Sequence, residues 1–352
     1  MKASRIIVAA LLTFAATSSQ SQEASNFPQR PVRIIVNVAP GGGVDAAARL
    51  VAQKLGERLG QPFVVENRGG GAGNIAAEGV YHSEPDGYTL LASPGATVSV
   101  NDFLFKNLNY DPRGFEPVSV LTQVPLALVV RPNFPASSFK DFLDYVKAHP
   151  GRLNYASNGI GTAAHLTGEL FKMTTGAQMT HVPYKGTSPV LNDLIAGHVD
   201  LTFIQYSAFY DLHKAGRAKI LAIAAKSRVE PLPDIPTMSE MGFPDIIANT
   251  WNMISAPPRT PPAVLTRLNR LINEILSERE VKARFAEMQT AVEGGNLEET
   301  RRYVAADREH WKKVIVSAGV QPERRLIVLS SETPSPHANQ PQVFDVTARH
   351  TR

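Results

Sequence analysis

Cysteine is absent from the 352-residue chain. This absence excludes disulfide bonds, thiolate metal ligands and cysteine nucleophiles together. The folded protein must therefore be stabilised by its apolar core. Hydrophobic residues make up 43% of the chain, and a chain of this length is long enough for two domains of ordinary size.

A strong charge imbalance is also missing. The formal net charge is +4, of which the first 25 residues carry +1 and the last 29 residues carry +2. The remaining body is almost neutral, and it lacks the basic stripe that follows a phosphate backbone in nucleic-acid-binding proteins. We therefore expect no nucleic-acid partner.

Sequence motifs of enzymes are scarce. The chain has no G-x-S-x-G elbow, no G-x-x-x-x-G-K-[ST] phosphate loop and no pair of histidines four residues apart, as zinc helices require. One nominal dinucleotide fingerprint, GGGVDA, begins at Gly41, and Glu66 follows it at about the required distance. We expect neither an enzyme nor a cofactor nor a metal site. An α/β dinucleotide-dependent enzyme that uses the loop at 41–43 is the alternative.

The one long apolar run lies at the N-terminus. Lys2 and Arg5 precede this run at 6–16, and a stretch of small and polar residues follows it. That order is typical of a secretory signal peptide, and the run has about half the length that a membrane span needs. We expect residues 1–24 to be removed and the mature chain to be a soluble periplasmic protein.

From residue 31 onward, β-branched apolar segments alternate with segments of helical periodicity. The order strand, helix, strand at 32–38, 44–59 and 63–66 predicts a parallel sheet with helices on its faces. A second set of the same kind begins with a strand at 126–130. A short strand at 252–256 then leads into helical segments that complete the predicted fold.

This order predicts two lobes of α/β class, each with its own sheet and with two chain crossings between them. We assign residues 27–123 and 250–322 to the first lobe and residues 124–249 to the second. The C-terminal helices are expected to pack on the first lobe. Residues 323–352 are rich in Ser, Pro, Asn, Gln and Arg, and we expect a largely disordered tail.

Local signals mark the ends of the C-terminal helices. Ser277 with Glu280, and Asn296 with Glu299, fit the capping box that begins a helix. Gly319 is predicted to follow the end of the last helix, since glycine adopts the left-handed conformation found there.

Three glycine-containing loops at 39–45, 93–97 and 157–162 follow predicted strands. In open parallel sheets ligands bind beyond the carboxyl ends of the strands, and helix N-termini bind carboxylate or phosphate groups. These loops and the helix after the last of them supply the candidate ligand-binding residues Gly42, Gly43, Asp45, Ser93, Gly95, Ser157, Asn158, Gly159, Gly161, Thr162 and His165.

We expect a carboxylate to lie between the loops at 41–43 and 157–162, held by backbone amides. A branched side chain at Gly42 or Gly159 is expected to block its approach. Asp45 is expected to cap exposed amides, because it would repel a carboxylate in direct contact. Tight turns without a ligand, a structural His165, and Trp251 as a core residue rather than a pocket residue remain open alternatives.

Several longer phrases resemble the Bug-type receptors of the tripartite tricarboxylate transporter family. They are RPVRIIV at 30–36, PGGGVD at 40–45, LGQPFVVENR at 59–68, PDGYTLL at 85–91, LNYAS at 153–157 and HVPYKG at 181–186. Their order along the chain makes the resemblance specific, and it extends from about residue 27 to residue 322.

The resemblance implies the two-lobed Venus flytrap fold of type II periplasmic binding proteins, closing on a small carboxylated solute. It implies permease subunits of a tripartite tricarboxylate transporter as partners of the receptor, which we expect to be a monomer. Tyr184 and Lys185 match a third ligand element of the family. Ile204 and Gln205 stand where the family typically has Asp-Asn, so Gln205 is a candidate contact that offers no carboxylate to a ligand amine.

Overall fold

The structure is a computed structural model, and it describes residues 26–322. The predicted signal peptide (1–24) and the predicted tail (323–352) lie outside the described residues. The strands are β1 (Val32–Val36), β2 (Phe63–Asn67), β3 (Thr89–Pro94), β4 (Glu116–Val130), β5 (Leu153–Ser157), β6 (Met179–Pro183), β7 (Leu201–Gln205), β8 (Lys219–Ile223), β9 (Asn249–Ala256) and β10 (Ala291–Gly294).

The α-helices of the described region include the helix predicted at 44–59 and two short helices after β3 that were not predicted. They are α1 (Gly43–Leu59), α2 (Asn74–Tyr81), α3 (Ala96–Ser99), α4 (Asn101–Leu104), α5 (Phe139–Ala148), α6 (Ala163–Thr175), α7 (Thr187–Ala196), α8 (Tyr210–Lys214), α9 (Pro262–Ser277), α10 (Arg279–Glu287) and α11 (Leu297–Ser317). Within residues 26–322, none of these helices combines the length and the apolar character that crossing a bilayer requires.

The first unit contains three parallel strands in the order β2–β1–β3, with β9 antiparallel to β3. Ile34 of β1 lies opposite Val65 of β2 and Leu90 of β3. The apolar stripes of α1 and α9 pack on this face, where Val51 and Leu268 join Ile34 in one core cluster. The β-branched segments therefore form the parallel sheet that their alternation with helices predicted.

The second unit repeats the arrangement with β7–β5–β6 as its parallel strands. α5 begins at Ser138, whose hydroxyl oxygen accepts a hydrogen bond from the Asp141 amide at 3.1 Å. This helix buries Phe139 and Phe142 in a core cluster that also contains Tyr155 of β5. The second unit is thus built around aromatic side chains between its sheet and α5 and α6.

The long strand β4 belongs to both units. Its residues 116–125 pair with β9, and its residues 126–130 pair with β7. The hydrogen-bonded sheet is consequently continuous from β2 to β6, so the expectation of two separate sheets and of a strand limited to 126–130 is wrong. The first part of β4 was not predicted because it contains Pro117 and Pro125, and proline rarely occupies a central strand. Here Pro117 lies at a bulge, and Pro125 at the change of partners.

The last helix, α11, also differs from expectation because it packs on both units. Its N-terminal half places Tyr303 and Val304 against a core cluster of the first unit. Its C-terminal half buries Trp311 and Ile315 in the aromatic cluster of the second unit. A helix of 21 residues is about 30 Å long, which is enough to bridge the two cores.

The ends of the C-terminal helices follow two of the three predicted signals. The Asn296 side chain accepts from the first amides of α11 while its own amide donates to the Glu299 carboxylate, so this capping box is confirmed. Gly319 has φ +65° directly after α11, as predicted. The box at Ser277 is wrong, because the Ser277 hydroxyl donates to the Glu274 carbonyl oxygen within α9 instead.

We predict that Gly168→Ala destabilises the protein by about 1–3 kcal/mol, the usual cost of overpacking a core. A Cβ atom on Gly168 of α6 would overlap the buried ring of Tyr155. Gly79→Ala is the matched control, because a Cβ atom at this helical glycine meets open space. That substitution should be neutral or stabilising by up to about 1 kcal/mol. Urea denaturation measures both, and equal effects would contradict the close contact at Gly168.

Candidate functional site

The predicted loops at 93–97 and 157–162 meet where the two units face each other, and the loop at 39–45 lies beside the first of them. The loops after β1 and β3 are adjacent because these strands are neighbours in the sheet. A Cβ atom on Gly43 would lie 3.7 Å from the side-chain nitrogen of Asn252, which pairs with Pro94 at the end of β3. From the second unit, a Cβ atom on Gly161 would lie 2.8 Å from the Leu104 side chain of α4.

Asp45 fixes the shape of the first loop. Its carboxylate is 4% exposed and accepts hydrogen bonds from the Gly41 amide at 3.0 Å, from Arg49 at 3.1 Å and from Asn67 at 2.9 Å. Burial opposes ionisation, but the hydrogen bonds from Arg49, Gly41 and Asn67 outweigh it and hold the pKa of Asp45 below its usual value. As expected, Asp45 binds the loop itself.

A second hydrogen-bonded network fixes the loop after β5. The Thr162 hydroxyl donates to the Gly159 carbonyl oxygen at 2.7 Å, and Ser157 Oγ donates to the same oxygen at 3.0 Å. The Gly161 amide donates to His165 Nδ1 at 2.9 Å. Because this nitrogen accepts, His165 is neutral and carries its proton on Nε2. Burial lowers the pKa of His165, consistent with that state.

The stacked imidazole rings of His165 and His181 pack against this loop. The rings of His165 and His181 are 4.0 Å apart at 12°, and His181 Nε2 lies 2.7 Å from Ser157 Oγ. Burial, and then the repulsion that would arise if both stacked rings were protonated, lower the pKa of His181 to about 4. His165 and His181 therefore hold the loop in place as neutral groups.

Glycine is required at only some of the predicted positions. Gly159 and Gly161 have φ values of +145° and +74°, which side-chain-bearing residues rarely adopt. Gly42 has φ −85° and open space around its Cβ position. Backbone strain therefore does not require glycine at position 42, and the expected effect of a side chain there on ligand approach stays a prediction.

A cavity of about 170 Å³ lies between the loop after β3 and the loop after β5. The predicted residues that line it are Gly95, Asn158, Gly161, Thr162 and Gln205. Those that do not line it are Gly42, Gly43, Asp45, Ser93, Ser157, Gly159, His165, Tyr184 and Lys185. Among the latter, the Tyr184 hydroxyl donates to Asp193 at 2.6 Å, Lys185 is exposed, and Ser93 is buried within β3. The loop at 93–97, and not the loop at 41–43, lines this cavity together with the loop at 157–162.

Sequence reasoning missed the contribution of α11 and left Trp251 undecided. Trp251, Asp307 and Trp311 all line the cavity, and Trp251 is at the same time a core residue that is 3% exposed. Asp307 accepts hydrogen bonds from both indole N–H groups at 3.1 Å. A signal was present, because Tyr303, Asp307, Trp311 and Ile315 are spaced by four residues and place one acid within an apolar helical stripe.

The cavity offers neutral hydrogen-bond donors to an anion. None of the residues that line it is Lys, Arg or His. Ala163 and Ala164, at the start of α6, line the cavity, and amides in a first helical turn have no acceptor within the helix. Amides at a helix N-terminus favour a carboxylate. Within residues 26–322, no group of three or more His, Cys, Asp or Glu is placed to hold a metal ion.

The groups of the nominal dinucleotide fingerprint that would bind a cofactor form hydrogen bonds within the protein instead. The Glu66 carboxylate, which would bind ribose hydroxyls, accepts hydrogen bonds from Arg33 at 2.7 Å and from Arg68 at 2.9 Å. The Gly41 amide, which would face a pyrophosphate, already donates to Asp45. These contacts disfavour the alternative of a dinucleotide-dependent enzyme.

We predict that Gly95→Ala displaces Trp251 and destabilises the protein by about 1–3 kcal/mol. A Cβ atom at residue 95 would overlap the indole ring of Trp251, whereas Gly42→Ala meets open space and should change stability by less than about 0.5 kcal/mol. Tryptophan emission and urea denaturation report both effects. Unchanged emission in Gly95→Ala would contradict the contact.

We predict that Asp45→Asn lowers stability at pH 7 by about 1–3 kcal/mol, because it weakens hydrogen bonds to a charged acceptor. The folded-state pKa of Asp45 is lowered, so its contribution is present above the ordinary Asp pKa of about 3.9. That contribution is lost as the pH falls through the folded-state value. The difference between the two proteins should therefore shrink below about pH 4 in urea denaturation. Asp144→Asn, on the exposed surface of α5, is the control, and a difference independent of pH would count against this role.

Known proteins resemble this chain in both sequence and architecture. The chain is 36% identical to the protein BugT of Bordetella pertussis over 300 residues, covering 85% of this chain and 92% of BugT. The structure of R. palustris Rpa4515 with adipate has a TM-score of 0.76 and 36% identity, covering 84% of this chain and 100% of that chain. The structure of the periplasmic binding protein BugD has a TM-score of 0.71 and 32% identity, covering 84% of this chain and 100% of BugD.

These similarities confirm the two-lobed binding-protein fold that the sequence predicted. The sequence profile described as "Tripartite tricarboxylate transporter family receptor" matches residues 47–320. Because this family consists of receptors, the alternative of a dinucleotide-dependent enzyme is set aside. The chain belongs to the tripartite tricarboxylate transporter family of solute-binding receptors.

Proposed function

We propose that this receptor captures a small carboxylate in the cavity at the N-terminus of α6. The observation that carries the proposal is that Ala163 and Ala164 begin a helix inside a cavity without cationic side chains. The macrodipole and the unpaired amides of α6 favour an anion there. The presence of adipate in the related Rpa4515 supports the same ligand class.

The proposed ligand contacts are the predicted residues that line the cavity, namely Gly95, Asn158, Gly161, Thr162 and Gln205. Asn158 Nδ2 donates to the Thr187 hydroxyl at 3.3 Å, whereas Asn158 Oδ1 is buried without a hydrogen-bond partner and is available to a bridging water. His165 and Asp45 act indirectly by fixing the shape of their loops. The site therefore recognises its ligand through shape and neutral donors, without an ion pair.

We propose that residues 27–123 with 250–296, and residues 124–249, move as two lobes around the ligand. The chain crosses between the units where β4 changes partners at Pro125 and where β9 begins opposite it at Asn249. Helix α11 packs on both units and spans this hinge. The contact of Leu104 with Gly161 brings the lobes together beside the cavity.

We further propose that residues 1–24 direct export to the periplasm and are then removed. The periplasmic location of BugD supports this assignment. In the periplasm the loaded receptor, as a monomer, would deliver its solute to permease subunits of a tripartite tricarboxylate transporter.

Native mass spectrometry of gently purified protein should detect a bound small carboxylate, and calorimetric titration with that compound tests the site. Thr162→Ala should weaken binding by about fivefold, the equivalent of one neutral hydrogen bond. Gly161→Ala should weaken it by at least about tenfold, because the new Cβ atom strains a φ of +74° and presses on Leu104.

Gly176→Ala, at the other end of α6, is the matched control for these variants. Its φ is +75°, but its Cβ position is open, so the substitution carries the same backbone strain without touching the cavity. Its affinity should match that of the unaltered protein. If Gly161→Ala binds normally and Lys185→Ala abolishes binding, capture occurs through an ion pair and the proposed site is wrong.

Export is tested separately by N-terminal sequencing of the protein recovered from the periplasm of its host. The mature chain should begin between about residues 20 and 25, just after the apolar run. A chain that retains Met1 would overturn the periplasmic assignment while leaving the ligand site untouched.

A further inference from the structure

Asp307 is an acid without a cationic partner in the wall of the cavity. Its Oδ1 accepts from the indole N–H groups of Trp251 and Trp311, each at 3.1 Å, and its Oδ2 accepts from the Ser99 hydroxyl at 2.8 Å. The adjacent Arg308 binds Asp102 through two hydrogen bonds of 2.6 and 2.7 Å and so is engaged elsewhere. Asp307 is therefore stabilised by neutral donors only.

Asp307 is also half-buried between α11 and the first unit. Burial raises the pKa of Asp307, while the hydrogen bonds from Ser99, Trp251 and Trp311 oppose that shift. A carboxyl group in such a place tolerates one negative charge poorly, and a second carboxylate close to it cannot ionise at the same time without a large cost. A ligand carboxylate near Asp307 would thus require a proton on one of the two groups.

The cavity provides anion stabilisation at one place, where Ala163 and Ala164 begin α6. None of the lining residues could neutralise a second carboxylate, since Lys, Arg and His are absent from them. A solute with two carboxylates would therefore bury one of them without compensation, which is unfavourable.

The remaining wall fits an apolar body. Trp251 and Trp311 present their indole rings, and Val100, Leu126 and Leu166 complete the surface. Gly95 allows the Trp251 ring to lie directly against the backbone, because any side chain there would displace it. Apolar walls with a few placed polar groups are typical of sites that bury most of a small ligand.

We propose that the cavity selects a monocarboxylate with an apolar body, and that Asp307 is the specificity-determining residue that rejects a second carboxylate. This inference rests on the proposed function, since it assumes that the cavity at the start of α6 holds the solute. It separates this receptor from Rpa4515, whose structure contains the dicarboxylate adipate.

Calorimetric titration of the full mature chain with three ligands of equal chain length tests the proposal. The ligands are hexanoate, adipate and 6-aminohexanoate, which place a methyl, a carboxylate or an ammonium group at the far end. Hexanoate should bind at least about tenfold more tightly than adipate, a difference of about 1.4 kcal/mol. Equal or tighter binding of adipate would overturn the selectivity, and tightest binding of 6-aminohexanoate would show that Asp307 is an ammonium acceptor instead.

The variant Asp307→Asn keeps the size of the side chain and an oxygen for the two indole N–H groups. It should reduce the preference for hexanoate over adipate by about tenfold. Asp144→Asn, which removes a charge from the exposed surface of α5, should leave the preference unchanged. An unchanged preference in Asp307→Asn would overturn the role of this residue.

The possible failures are distinguishable. If the unaltered protein binds none of the three ligands but retains a different carboxylate through purification, the apolar monocarboxylate class is wrong while the proposed function stands. If it binds no carboxylate at all, the proposed function fails together with this inference. The ligand series needs no variant, so it decides the selectivity even if Asp307→Asn does not fold.

Discussion

The pairing of β4 with both halves of the sheet is the constraint on which the rest of the structure depends. One strand of 15 residues supplies hydrogen-bond partners to β9 and β10 in the first unit and to β7 and β8 in the second. The loops after β3 and β5 are connected to each other through this shared strand. The cavity exists because the two units present strand ends to one another across it.

Local pattern and topology rules were sufficient to predict most of the fold. Apolar β-branched segments such as β1, and stripes such as that of α1, are read from a few neighbouring residues. The first half of β4 was not predicted because proline is disfavoured in central strands, and only the pairing partners explain Pro117 and Pro125. The packing of α11 on two cores was not predicted either, because an amphipathic stripe indicates which face of a helix is buried but not which element covers it.

The sequence predicted those residues of the candidate site that lie in loops directly after strands. Gly95, Asn158, Gly161 and Thr162 were found because loops after parallel strands converge at one edge of a sheet. Asp307 comes from a helix almost 150 residues beyond Asn158 along the chain, and no short-range rule brings them together. The only signal in the sequence was the position of Asp307 within an otherwise apolar helical stripe. Polar groups that are shielded from solvent are usually hydrogen-bonded, as Asp307 is to Ser99, Trp251 and Trp311.

The stacked imidazoles beneath the loop after β5 also govern how the receptor responds to its surroundings. His165 Nδ1 already accepts the Gly161 amide, so a proton could enter there only by breaking a bond that shapes the loop. A charge on either ring would also lie 4.0 Å from its neighbour. Burial lowers the pKa of both rings, that of His181 to about 4, so both protonate less readily than free histidines as the medium acidifies. The shape of this loop is therefore less sensitive to external acidity, although neither ring lines the cavity.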